Sequence, residues 1–195
     1  MEYPIDMRFK ILAIAPQIEV KDAKGESVCY VQQKIFKLKE AVSVFLDKSK
    51  SQQLCEIKAD RIIDFSASYH FYDAQGDCFG GVRRKGMRSI WSAHYEVIDE
   101  ANQLAATIQE ENPMAKVFDS LLGEVPLIDM LSGYVFNPRY VLKDASGQPA
   151  MRLKKQPAML EGKYLLEKLQ PIDPVHELRC IMSFLMMTLL ERRRG

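Results

Sequence analysis

The densest run of reactive side chains in this sequence is Gly80-Gly81-Val82-Arg83-Arg84-Lys85-Gly86-Met87-Arg88, with four cations inside six residues. Arginine and lysine at that density hold phosphate or carboxylate groups, and paired glycines let a backbone come close to such a ligand. Arg83, Arg84, Lys85 and Arg88 are therefore the candidate anion- or headgroup-binding residues. The same composition also has a plainer use, since charges at a hairpin end keep a sheet edge soluble. Arg152, Lys154 and Lys155 form a thinner version, and Arg192–Arg194 another. The latter follow a helix C-terminus, where cations meet the negative end of the dipole.

Catalytic chemistry has little to draw on. His70, His94 and His176 lack the spacing of zinc ligands, and there is no G-x-S-x-G, P-loop or G-x-G-x-x-G run. A Ser/His/Asp set need not be close in the chain, but nothing nominates one. Asp22, Asp47, Asp73, Asp99 and Asp144 could be read as acid pairs or metal ligands, yet each sits at the same place in a repeated turn. Met182, Met186 and Met187 could line a soft ligand groove or simply fill an irregular core. The inventory nominates no catalytic residue, no metal ligand and no cofactor, and describes a binding protein better than an enzyme.

What must position the basic run is a series of hairpins. The pattern is a β-type run, an Asp, a short polar turn and a second β-type run. It appears at Asp22-Ala-Lys-Gly25, Asp47-Lys-Ser-Lys50, Asp73-Ala-Gln-Gly76, Asp99-Glu-Ala-Asn102 and Asp144-Ala-Ser-Gly147. The Asp side chain caps such a turn, and Gly or Asn takes the left-handed position after it. An apolar residue follows nine places after four of these Asps, at Val31, Val82, Ile108 and Leu153; after Asp47 the match, Ile57, comes one later. Five hairpins give about ten strands of an antiparallel closed or sandwiched sheet. Within them Phe36 and Leu38 alternate with lysines, and Trp91, Ala93, Tyr95 and Val97 alternate with Ser92, His94 and Glu96. Ala67–Tyr72 carries aromatics on both faces, which reads as a strand buried on both sides.

Residues 112–132 break the rhythm. Pro113 suits a helix start, Val117, Phe118, Leu121 and Leu122 have helical spacing, and Gly123 ends the run, so a helical insertion over one end of the sheet is expected. The last stretch, Leu178–Leu190, is apolar around its whole circumference. Such a helix is enclosed by protein or by lipid. At about 13 residues it is short of the roughly 20 that a membrane span needs. A barrel of roughly ten to twelve strands is too wide for its own side chains to fill. The helix over 175–192 is therefore expected to occupy the lumen of a single mainly-β domain spanning 1–195.

Composition agrees with that picture. With 47% hydrophobic and 27% charged residues in 195, one core is expected, and a net charge of +1 provides no global attraction to nucleic acid. The apolar run Ile11–Ala15 is shorter than the roughly 7–15 residues of a signal peptide. Cys29, Cys55, Cys78 and Cys180 form no CxxC, so free thiols in a reducing cytoplasm are expected.

The Asp hairpins, the Arg88–Asp99 segment RSIWSAHYEVID, the Gly133–Tyr140 segment GYVFNPRY and the apolar C-terminal helix resemble the LURF-one-related family. That family belongs to the tubby-like superfamily, which also contains the phospholipid scramblases, and the resemblance covers about residues 18–192. It implies an antiparallel barrel of about twelve strands around a hydrophobic C-terminal helix. It also implies a non-enzymatic protein, cytoplasmic or peripheral at a membrane, that binds anionic phospholipid or a phosphorylated ligand. The calcium-binding segment and the palmitoylated cysteine cluster of the scramblases have no counterpart here. The alternative expectation is a cytosolic interaction scaffold whose protein partner meets Val117, Leu121, Leu127 and Leu131 of the insertion.

Overall fold

The computed structural model describes residues 1–10, 17–32, 41–60, 67–85, 93–111, 138–158 and 161–192. Among these, twelve strands form a closed antiparallel barrel and one helix follows them. The strands are β1 (Ile5–Lys10), β2 (Gln17–Lys21), β3 (Ser27–Gln32), β4 (Val42–Phe45), β5 (Gln53–Ala59) and β6 (Ser68–Tyr72). They continue as β7 (Cys78–Arg84), β8 (His94–Ile98), β9 (Leu104–Glu110), β10 (Arg139–Asp144), β11 (Pro149–Gln156) and β12 (Glu161–Lys168). The helix α1 runs Pro174–Arg192. Each strand pairs with its sequence neighbours, and β1 closes the cylinder by pairing with β12. Closure leaves no strand edge to aggregate.

The hairpin chemistry is as the repeated Asp implies. Oδ1 of Asp22, Asp73 and Asp144 each accepts two backbone N–H bonds from its own turn, and Asp47 and Asp99 accept one each. Gly25, Gly76 and Gly147 take left-handed φ of 83°, 90° and 85°, and Asn102 and Lys50 follow at 62° and 55°. Lys50 therefore holds the left-handed position without glycine's help. A register shift accompanies all five turns, so the partner strand carries an extra residue shortly after the turn. That bulge fixes the distance from each Asp to an inward side chain. Val31, Val82, Ile108 and Leu153 are fully buried, and Ile57 is 1% exposed. The Asp47 turn pairs Phe45 with Gln53, a wider gap than Lys21 with Ser27, which accounts for its later match.

Asp144 is the most strongly held of these carboxylates. The Ser146 hydroxyl, Gln170 Nε2 and two backbone amides bring its pKa down to about 2 from 3.8. A depressed carboxylate contributes stability that is present above its unfolded value and lost as pH falls through the folded one. Asp144→Asn is thus expected to flatten the loss of stability between about pH 4 and pH 2, read by acid titration of the denaturation midpoint.

Most inward positions of the strands are apolar and most outward ones polar, with Glu110 an inward acid and Val141 and Leu165 outward apolar residues, the reverse of the pattern of a membrane barrel. β6 shows the rule where the sequence read otherwise: Tyr69 and Phe71 are buried, while Ser68, His70 and Tyr72 are half-buried on the outside. Lys58 sits over the Tyr72 ring at 5.1 Å, so this aromatic is a surface cation partner.

The helix fills the lumen. Asp173 caps it, its Oδ1 accepting from the amides of Val175 and His176, and Pro174 takes the first helical position. Residues 179–189 are all buried, with Ile181, Met182, Phe184, Leu185, Met186 and Met187 at 0% exposure. Two hydroxyls lie among them. Ser183 Oγ donates to Arg179 O and Thr188 Oγ1 to Leu185 O, so each is satisfied by the helix's own backbone. Met182 also meets Cys55, Sδ to Sγ 3.6 Å. All four cysteines are free, and burial pushes the Cys55 and Cys180 thiols up to about 12, which suppresses thiolate chemistry.

Strand order makes the two ends of the cylinder different. The Asp hairpins and the start of α1 share one end, here the turn rim. The C-terminal ends of β1, β3, β5, β7, β9 and β11 and the end of α1 share the other, the far rim. The expected strand at 35–39, Trp91 and the helical insertion 112–132 lie outside the described residues.

Candidate functional site

β7 delivers the basic run to the far rim, and strand alternation then divides it. Arg83 faces outward, its Nε donating to Glu96 Oε2 at 2.8 Å. Lys85 reaches the other oxygen of the same carboxylate, Nζ to Oε1 2.9 Å. Two cations on one acid leave one positive charge in excess, on side chains 38% and 47% exposed. Burial works to raise the Glu96 pKa, but Lys85 and Arg83 outweigh it and hold the group below its usual value.

Arg84 turns the opposite way. Its side chain is 9% exposed, its Nη2 lies 3.7 Å from Glu191 Oε1, and its guanidinium sits 5.9 Å from the Tyr95 ring centroid. The run thus supplies an outer pair, Arg83 and Lys85, and an inner cation, Arg84. Arg88 lies outside the described residues.

The glycines before the cations serve packing. Gly80 has φ +133°, and a Cβ there would stand 2.5 Å from both Arg179 Nε and Ile98 O. A Cβ on Gly81 would stand 2.5 Å from Tyr69 O. Gly80 is bare so that Arg179, side chain 8% exposed, can reach across to Phe79 O (2.7 Å) and Glu100 Oε2 (2.6 Å). Arg179 Nη1 also lies 3.3 Å from His176 Nδ1, and burial together with that guanidinium lowers the His176 pKa. Nearby, Tyr3 Oη and Lys168 Nζ both donate to Glu177 Oε1, at 2.6 and 3.0 Å. The helix therefore enters the barrel through buried charges, each with partners.

At the far rim a second interior cluster meets the helix end. Tyr95 Oη donates to Glu191 Oε1 at 2.6 Å, and Tyr140 and Tyr164 are buried beside it. Burial raises all three phenol pKa values, reinforced by Glu191 at Tyr95 and Tyr164 and by Glu110 and then Glu191 at Tyr140, so the phenols stay protonated. Arg192 lies over the Phe9 ring at 5.1 Å, and Phe9 meets Tyr164 edge-on. The sequence marks Arg192 only as part of the basic tail and Tyr95 only as one of an alternating face, and it gives no sign that they meet Tyr140, Tyr164 and Glu191. The one local signal was tyrosine at an inward place near a strand end; the carboxylate they surround is distant in the chain.

Arg152 pairs with Glu111 at 2.9 Å, Lys154 with Glu167 at 2.6 Å, and Lys155 stands opposite Tyr164 in the ladder. Val117, Leu121, Leu127 and Leu131 lie outside the described residues. Among the described residues, no His, Cys, Asp or Glu side chains group as a metal site requires, and no helix is long and apolar enough to cross a membrane. At the far rim the geometry leaves Arg83 and Lys85 half-exposed on one shared carboxylate. No family model matches the chain, and no curated protein matches it.

Proposed function

We propose that this chain is a non-enzymatic binding module of the LURF-one-related, tubby-like kind. It takes an anionic phospholipid headgroup or a phosphorylated ligand at the far rim. Arg83 and Lys85 make the contact, Arg84 and Arg88 belong to the same basic run of the sequence, and the protein works at the cytoplasmic face of a membrane. The observation that carries this reading is the sharing of Glu96 by two half-exposed cations, which leaves uncompensated charge where a ligand can reach it. The family assignment is supported by architecture: a twelve-stranded cylinder closed around an apolar C-terminal helix is what the resemblance implies.

Flotation with vesicles tests the reading. The protein is expected to rise with phosphatidylcholine vesicles containing phosphatidylserine or a phosphoinositide, and to stay behind with phosphatidylcholine alone. At about 1 kcal/mol for each cation near an anionic surface, Arg83→Gln with Lys85→Gln weakens partitioning roughly thirtyfold. Equal partitioning to both vesicle types would sink the proposal.

A further inference from the structure

The outward face of β1, β12, β11 and β10 sets cations directly against cations. Arg8 is the ladder partner of Lys163, and Lys154 is the ladder partner of Arg139. Like charges directly opposite destabilise a sheet. Lys163 and Lys154 are diagonal neighbours, since Lys154 stands opposite Leu165 and Gln156 opposite Lys163. The four cations therefore form one slanted row across four adjoining strands. At about 4.8 Å between strands, the row is roughly 14 Å wide.

The acids beside it do not balance the row, and Glu19, which stands opposite Arg8 on β2, is held by Lys21 and Lys48. Asp6 takes Arg8 at 2.8 Å and lies 3.9 Å from Lys163; Glu167 takes Lys154 and lies 4.0 Å from Arg152. Arg152 has Glu111 as its nearer partner. Arg139 is exposed, with no ion pair among the described residues. The row lies toward the far rim, the end to which β7 brings Arg83 and Lys85. Among the described residues the turn rim is richer in acids: every hairpin there begins on an aspartate and Asp173 caps the helix beside them, against lysines confined mainly to the Asp22 and Asp47 turns. Among the described residues, charge is thus uneven along the barrel axis.

We infer that the barrel docks end-on, far rim toward an anionic bilayer, along the Arg8–Lys163–Lys154–Arg139 row, which extends the proposed headgroup contact into a surface. A single phosphate can engage one loop; cations on four consecutive strands, with Arg83 and Lys85 further around the same rim, fit an extended negative plane. Acids at the opposite rim turn that end away and fix the orientation. This inference rests on the anionic-lipid reading of the β7 cations.

The test uses the full chain and phosphatidylcholine–phosphatidylserine vesicles. Arg139→Gln with Lys163→Gln is expected to reduce partitioning at least tenfold and to leave the thermal transition in place. Lys24→Gln with Lys50→Gln makes the same charge change at the turn rim, where both lysines are exposed, and is expected to leave partitioning near wild type. Val175→Asp, at one of the exposed apolar side chains of that rim, is also expected to be silent. Equal losses in the two lysine and arginine variants would reduce the effect to net charge and overturn the docking row. A loss in Val175→Asp would place the turn rim against the bilayer and overturn it as well. If Arg139→Gln with Lys163→Gln floats as wild type while Arg83→Gln with Lys85→Gln does not, the row fails and the loop reading stands. A wild-type protein that ignores acidic vesicles removes both.

Discussion

Replacing Phe184 by alanine is expected to lower the free energy of unfolding by about 3–5 kcal/mol. Phe184 is fully buried near the middle of α1, between Ser183 and Leu185, which are also at 0% exposure. The cylinder wall is a closed hydrogen-bonded ladder and cannot collapse inward to refill the space, so the loss should fall in the upper part of the range. For a chain of this size the melting temperature drops by roughly 10 °C. Urea titration should show a lower midpoint with an unchanged slope. Leu178→Ala, at a half-buried place where the helix enters, is the internal comparison and costs less. A Phe184→Ala protein within about 1 kcal/mol of wild type would mean that the lumen is not the core.

Gly80→Ala carries the second large effect. The backbone there has φ +133°, where a side chain is strained by about 1–3 kcal/mol before any contact is considered. The added methyl then meets Ile98 O, which belongs to β8 and is held by the ladder, and Arg179 Nε, which is held by Phe79 O and Glu100. Displacing Arg179 leaves a buried cation without its partners. Together these effects put the loss at no less than about 3 kcal/mol. Arg179→Met with Gly80→Ala should recover part of the loss, because the clash with Ile98 O remains. Full stability in Gly80→Ala would show that the arginine has another place to go.

The sequence carried the hairpins plainly because their determinants are local. An aspartate, a left-handed residue three places on and a bulge just beyond fix register within a dozen residues, and neither distant chain nor solvent alters that. The enclosed helix was legible for a related reason, since a segment apolar on all sides has few places to be. β1 is less legible, although Ile5, Met7 and Phe9 alternate cleanly with Asp6, Arg8 and Lys10. Its apolar flank Ile11–Ala15 resembles the start of a leader, and its partner, β12, lies at the other end of the chain.

The basic run shows the opposite limit. Its charge density was visible, but the direction of each side chain depends on the bulge that shifts β7 against β6 between Phe71 and Tyr72. That shift sends Arg84 inward to Glu191 and leaves Arg83 and Lys85 outside on Glu96. The need for Gly80 was hidden for the same reason, because the atom it accommodates comes from Arg179, about a hundred residues later. The row from Arg8 to Arg139 exists only once the cylinder closes.

Native-state hydrogen exchange of the α1 amides tests the enclosed helix most directly. If the helix is the core of the barrel, the amides of residues 180–189 exchange only through global unfolding, with the same free energy and denaturant dependence as the inward-facing strands. Exchange of those amides at clearly lower free energy, while β1 and β12 stay protected, would show a helix that leaves an intact cylinder and would contradict the account.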